Sequence, residues 1–115
     1  MSAVLISADL MTTSAAQGAA QRAGVELKAV ALRNAASAVS DATRLVVIDL
    51  THALTDLTPL VGELRATAPS ATIIAFGPHV QEQRLQAARA AGCDEVITRG
   101  QWHNGAEQLL RDHCG

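Results

Sequence analysis

Aromatic residues are nearly missing from this chain of 115 residues, which has no tyrosine and only Phe76 and Trp102. Proteins that bind single-stranded nucleic acid usually stack bases on aromatic side chains. Positive charge is also short, because nine Lys and Arg residues stand against eleven Asp and Glu residues, for a formal net charge of −2. Affinity for a phosphate backbone comes from clustered positive charge. We therefore expect no nucleic-acid partner.

The sequence also lacks a disulfide framework and a long hydrophobic run. Its two cysteines, Cys93 and Cys114, are expected to be ordinary thiols in a reducing compartment. No stretch is long enough to span a bilayer, and the first residues do not resemble a signal peptide. We expect a cytoplasmic protein with no membrane partner. With 49% hydrophobic and 17% charged residues, the chain is predicted to form one domain over residues 1–115.

Five short apolar runs, each followed by a turn and a helical pattern, occur along the chain. They cover residues 3–7, 27–32, 45–49, 72–76 and 95–98. This alternation predicts an α/β fold, in which helices cover both faces of a five-stranded parallel sheet. The first, third and fourth runs are continuously apolar, as in strands buried on both faces, whereas the second alternates and suits an edge. Short right-handed crossovers favour the flavodoxin-like strand order 2-1-3-4-5.

Helical spacing and capping residues predict the elements between these strands. The predicted helices cover residues 11–23, 34–40, 57–68, 80–91 and 104–113. Gly24 and Gly92 are expected to terminate the first and fourth helices. Asn34 is expected to cap the second helix, and Asn104 with Glu107 resembles a capping box for the last one.

Ligand sites in such sheets lie outside the carboxyl ends of the strands, which directs attention to Asp49 at the end of the third strand. A carboxylate there can act as a nucleophile towards a phosphoryl donor or as a metal ligand. It can equally cap the next loop or join an ion pair. Its position alone leaves these alternatives open.

Two segments carry a resemblance to a known family. Residues 45–49 form an apolar strand that ends in an acid, and residues 90–99 place small residues and a glycine before a strand that ends in a basic residue. Over essentially its full length, the pattern resembles the receiver domain of bacterial response regulators. The resemblance implies a flavodoxin-like fold and makes Asp49 the phospho-acceptor position.

The chain departs from the receiver pattern around that position. Receivers carry an acidic pair that binds Mg²⁺ after the first strand, whereas only Asp9 is present here. Phe76 and Gly77 stand at the end of the fourth strand, where the family has a Thr or Ser hydroxyl. Arg99 followed by glycine replaces the family's Lys-Pro. These departures predict a pseudo-receiver, which is not an enzyme and in which Asp49 and Arg99 pair across the crevice.

We therefore expect a stand-alone signalling or protein-interaction module with a degraded phosphorylation site, whose partner is a signalling protein or a second copy. The family's usual contact surface corresponds here to residues 80–91, 95–98 and 104–113. An alternative is a working phospho-acceptor, in which Asp49 is the nucleophile, Asp9 helps to bind Mg²⁺ weakly, and Arg99 supplies the counter-charge. No other cofactor is expected. A dinucleotide is disfavoured because no Gly-rich phosphate loop follows the first strand, and a flavin because few aromatic residues are available to flank its ring.

Three histidines offer another alternative, a small metal-dependent enzyme. His52, His79 and His103 fall in the regions after the third, fourth and fifth strands. Three imidazoles near a carboxylate can bind Zn²⁺ or another transition metal, although the spacing matches no local metal motif. His79 can instead cap the fourth helix. Trp102 has two open interpretations, packing at the sheet edge or an exposed anchor for a protein partner.

Overall fold

The computed structural model describes residues 2–51 and 56–114, so His52 and the rest of the segment 52–55 lie outside the described residues. The strands are β1 Ser2–Ile6, β2 Glu26–Val30, β3 Thr43–Asp49, β4 Thr72–Gly77 and β5 Glu95–Thr98. The helices are α1 Leu10–Ala23, α2 Ala35–Ala38, α3 Thr58–Thr67, α4 Glu82–Ala90 and α5 Arg99–Cys114, and a 3₁₀ turn covers Leu32–Asn34. None of the described helices is long and apolar enough to cross a membrane.

All five strands are parallel, and they lie in the order β2-β1-β3-β4-β5. The predicted fold class is therefore confirmed. Successive side chains of a strand point to opposite faces, and helices cover both faces of β3, which explains why its residues 45–48 are all apolar. Val46 and Ile48 belong to the core beneath α3 and α4, whereas Leu45 and Val47 belong to the core beneath α1 and α5.

The predicted start of the last helix is wrong. The helix begins at Arg99, directly after β5, and Asn104 lies within it. The backbone N–H of Thr98 donates to Gln101 Oε1 at 2.8 Å, and the N–H of Gln101 donates to Thr98 Oγ1 at 3.1 Å. This reciprocal capping box competes with the one predicted at Asn104 and prevails. It also places Arg99 at the first helical position, at the carboxyl end of the sheet.

Two other predicted helices are shorter than expected. The second covers only Ala35–Ala38 after the 3₁₀ turn, and Asn34 makes no side-chain capping bond. The fourth begins at Glu82 with Gln81 as its N-cap residue, so the prediction that His79 caps it is wrong. By contrast, Gly24 and Gly92 have positive φ angles of 71° and 101°, as expected of helix terminators.

Two glycines provide a matched test of backbone conformation. An added Cβ would meet nothing within 4 Å at Gly24 or at Gly62, which lies inside α3. Gly24→Ala is expected to lower the free energy of unfolding by about 1 kcal/mol, because a side chain disfavours the left-handed region. Gly62→Ala is expected to raise it by roughly 0.5–1 kcal/mol, because alanine favours helix. Urea denaturation checks both, and shifts of the same sign would contradict this account.

Candidate functional site

The site is built around Asp49, the last residue of β3, which lies in register with Phe76 of β4. The Asp49 side chain is only 1% exposed. Its Oδ2 accepts a hydrogen bond from Ser7 Oγ at 2.8 Å. Its Oδ1 accepts bonds from the backbone N–H of Thr51 at 2.9 Å and from the Thr51 hydroxyl. Both carboxylate oxygens therefore have protein donors, as a buried charge requires.

Arg99 approaches this carboxylate from the start of α5. Its Nη2 lies 3.2 Å from Asp49 Oδ1 and also donates to the Thr51 hydroxyl oxygen. The ion pair predicted from the sequence is present. The guanidinium carbon also lies 5.4 Å from the centroid of the Phe76 ring, which is within the range of a cation–π contact. Arg99 thus bridges the acid of β3 and the aromatic ring of β4.

Asp9 faces the same guanidinium from the other side but serves mainly as a helix cap. Its Oδ2 accepts the Thr12 backbone N–H at 3.3 Å and the Thr12 hydroxyl at 2.5 Å. The Thr12 hydroxyl holds the pKa of Asp9 below its ordinary value. Arg99 Nη1 donates to Thr12 Oγ1 at 3.2 Å and lies 4.0 Å from Asp9 Oδ2. Thr12 therefore links the arginine to the cap.

Phe76 is fully buried beneath Arg99, and Trp102 packs on it. The two ring centroids are 5.6 Å apart with an interplanar angle of 12°. Because Trp102 is only 1% exposed, its interpretation as an exposed anchor is wrong and the packing interpretation holds. At Gly77, an added Cβ would lie 3.3 Å from Leu50 Cβ, so glycine lets the two strand ends approach closely.

Arg84 has a role at the site that sequence reasoning did not identify. Its Nη1 donates to the carbonyls of Leu50 and Thr51, at 3.0 and 2.9 Å. These acceptors are backbone atoms more than thirty residues away along the chain. Residue type carries no information about such a bond. Together, Arg84 and Arg99 bind the first residues after β3 from α4 and α5.

The residues predicted as metal ligands do not form a metal site within the described part of the chain. Among residues 2–51 and 56–114, no group of three His, Cys, Asp or Glu residues is placed to hold a metal ion. His79 and His103 are exposed, and His52 lies outside the described residues, so the three-histidine site stays a prediction. The Arg99 guanidinium lies within 4.0 Å of both Asp9 and Asp49, which does not fit Mg²⁺ bound between those carboxylates.

No protein-family model matches the sequence, and no curated protein sequence matches it. Solved structures do match. The receiver domain of a sensor histidine kinase from Pseudomonas aeruginosa, with magnesium coordinated in its active-site cleft, has a TM-score of 0.76 and 15% identity, covering 97% of this chain and 95% of that one. A CheY-like protein from Pseudomonas aeruginosa has a TM-score of 0.70 and 21% identity, covering 97% and 98%.

A protein described as pilus assembly-related, from Burkholderia pseudomallei, has a TM-score of 0.70 and 17% identity, covering 98% of this chain and 88% of that one. These identities are too low to transfer an activity. The structural matches show that the chain has the fold of response-regulator receiver domains.

Proposed function

We propose that this chain is a receiver-like signalling module in which a permanent ion pair replaces the phosphorylation site, and that it acts by binding proteins rather than by catalysis. We further propose that residues 1–115 form one domain and work in the cytoplasm. The observation that carries the proposal is the Asp49–Arg99 pair, in which the guanidinium lies 3.2 Å from the carboxylate. A phosphoryl group on Asp49 would have to displace that arginine or share its charge.

The surroundings of the pair support an inactive site. Phe76 contributes an apolar ring where a hydroxyl would bond a phosphoryl oxygen, and this ring is fully buried. Asp9 is committed to the cap of α1 through two bonds from Thr12. A divalent cation would therefore compete with Arg99 for both carboxylates, which disfavours the Mg²⁺ needed to neutralise an incoming phosphoryl group.

The test is treatment with a small phosphodonor. We expect acetyl phosphate and Mg²⁺ to leave the intact mass of the chain unchanged, and Mg²⁺ with beryllofluoride to leave its thermal midpoint unchanged. Asp49→Ala serves as the control that cannot accept a phosphoryl group at this position, and a known active receiver serves as the positive control. Partner binding is expected to be insensitive to the phosphodonor in both forms of the chain.

A mass increase of one phosphoryl group that disappears in Asp49→Ala would overturn the proposal and favour the working phospho-acceptor. A thermal shift with Zn²⁺ that is reversed by chelation and lost in His79→Ala would favour the metal-dependent alternative.

The proposed contact surface comprises residues 80–91, 95–98 and 104–113. Val80 on this surface is 77% exposed, which is unusual for a large apolar side chain. The pilus assembly-related neighbour is consistent with a role of this fold in protein assemblies. We propose protein partners on this basis, a second copy among them.

A further inference from the structure

The outer edge of β2 is an unpaired edge of the sheet, because β2 pairs only with β1 among the described strands. The Val30 carbonyl accepts the N–H of Ser7, which follows β1, at 3.0 Å. In a parallel pair, alternate residues direct their backbone groups towards the neighbouring strand. Leu27 and Ala29 therefore direct theirs outwards. Gln17 Nε2 of α1 donates to the Leu27 carbonyl at 3.2 Å, which agrees with that direction.

This edge is accessible along a groove between α1 and β2. A cavity of about 650 Å³ lies there. It is lined by Ser14, Gln17, Gly18, Ala20, Gln21, Val25, Glu26 and Leu27. Gly18 contributes no side chain to the groove, whereas Gln17 beside it reaches across to the Leu27 carbonyl. A second strand that pairs at this edge would bond the N–H of Leu27 and the backbone groups of Ala29, and at the Leu27 carbonyl it would displace Gln17 or share that acceptor with it.

The exposed side chains of β2 carry opposite charges two residues apart. Glu26 and Lys28 point to the same face of the strand and are both exposed. Neither forms an ion pair within residues 2–51 and 56–114. A lysine on an edge strand usually discourages pairing with another strand. Glu26, two residues from Lys28, makes pairing favourable with one particular partner, a second copy of β2, because the glutamate of each copy can face the lysine of the other.

Two antiparallel copies of β2 can be centred on Leu27 by a twofold axis. Glu26 of each copy then lies directly opposite Lys28 of the other, and the contact occurs twice. If the pair is centred on Glu26 or on Lys28 instead, like charges meet at the axis. Of these three registers, the charge pattern favours the one centred on Leu27, in which the backbone groups of the two Leu27 residues face each other.

We propose that the outer edge of β2 is a self-association surface, at which two copies of this chain join antiparallel into one continuous sheet. This interface lies away from Asp49 and Arg99 and extends beyond the proposed function. Either proposal can fail without the other.

The experiment exchanges the two charges. Glu26→Lys and Lys28→Glu each place two pairs of like charges across the interface, and each is expected to weaken self-association at least about tenfold. In an equimolar mixture of the two variants, every charge again faces its opposite, so heterodimers are expected. The double variant Glu26→Lys/Lys28→Glu is expected to regain self-association. Sedimentation equilibrium measures all four samples beside the unmodified chain.

Glu63→Lys is the matched control, because Glu63 is exposed on α3 and its replacement changes the net charge by the same amount as Glu26→Lys. It is expected to associate like the unmodified chain. The proposal would be overturned if the unmodified chain were monomeric at millimolar concentration, if Glu63→Lys and Glu26→Lys had equal effects, or if the mixture failed to form heterodimers.

Discussion

Replacement of Arg99 by methionine is expected to lower the free energy of unfolding by about 2–3 kcal/mol. The substitution leaves the Asp49 carboxylate buried, at 1% exposure, with hydrogen bonds but no counter-charge. Breaking a fully buried ion pair costs roughly 3–5 kcal/mol, and the effect is smaller here because Arg99 is 27% exposed and partly screened. Urea denaturation followed by circular dichroism measures the change.

Arg33→Met is the control for loss of an exposed arginine, because Arg33 is exposed in the 3₁₀ turn. It is expected to change stability by less than about 0.5 kcal/mol. The double variant Asp49→Asn/Arg99→Met is expected to be more stable than Arg99→Met alone, because it also removes the negative charge of Asp49 that would otherwise be buried without a counter-charge. A double variant whose loss equals the sum of the two single losses would contradict a direct interaction between Asp49 and Arg99.

Trp102→Ala is expected to have the largest effect of any substitution considered, a loss of about 3–5 kcal/mol. Trp102 is 1% exposed and stacks on Phe76 with a centroid separation of 5.6 Å. Its removal leaves a cavity between α5 and the sheet and takes away the packing beneath the ring that contacts Arg99. The measurement is again urea denaturation, followed by circular dichroism because this substitution removes the only tryptophan.

Trp102→Phe keeps much of the packed volume and is expected to fold with a smaller loss, which makes the comparison informative even if Trp102→Ala does not fold. Asn104→Ala, at an exposed position on the same helix, is expected to change stability by less than about 0.5 kcal/mol. A loss below about 1 kcal/mol for Trp102→Ala would show that the indole is not packed as described.

The strands were predictable because a buried strand has a recognisable run of apolar residues in the sequence. β3 is covered on both faces, so it contains consecutive apolar residues, and β5 was predicted at its observed bounds. The helices were predicted less well where two local signals competed. Thr98 with Gln101 and Asn104 with Glu107 both resemble capping boxes, and only packing of the first turn against the sheet selects Thr98.

The candidate site was also predictable in part. Asp49 and Arg99 end two strands of one parallel sheet, so topology brings their ends to the same edge. The contributions of Ser7, Thr51 and Arg84 could not be predicted, because common polar residues make these bonds to atoms that only folding brings near. Trp102 left two interpretations open, since a lone tryptophan has the same sequence signature at a core and at an interface.

The amino-acid sequence by itself determined the strand order and the edge at which Asp49 and Arg99 lie, because these follow from periodicity along the chain and the handedness of crossovers. Only the tertiary structure decided that Arg84 binds the segment after β3, that Asp9 caps α1 and that Trp102 is buried. Each of these outcomes depends on distances between residues remote in sequence, and such distances are set by packing and by hydrogen bonds that no local pattern records.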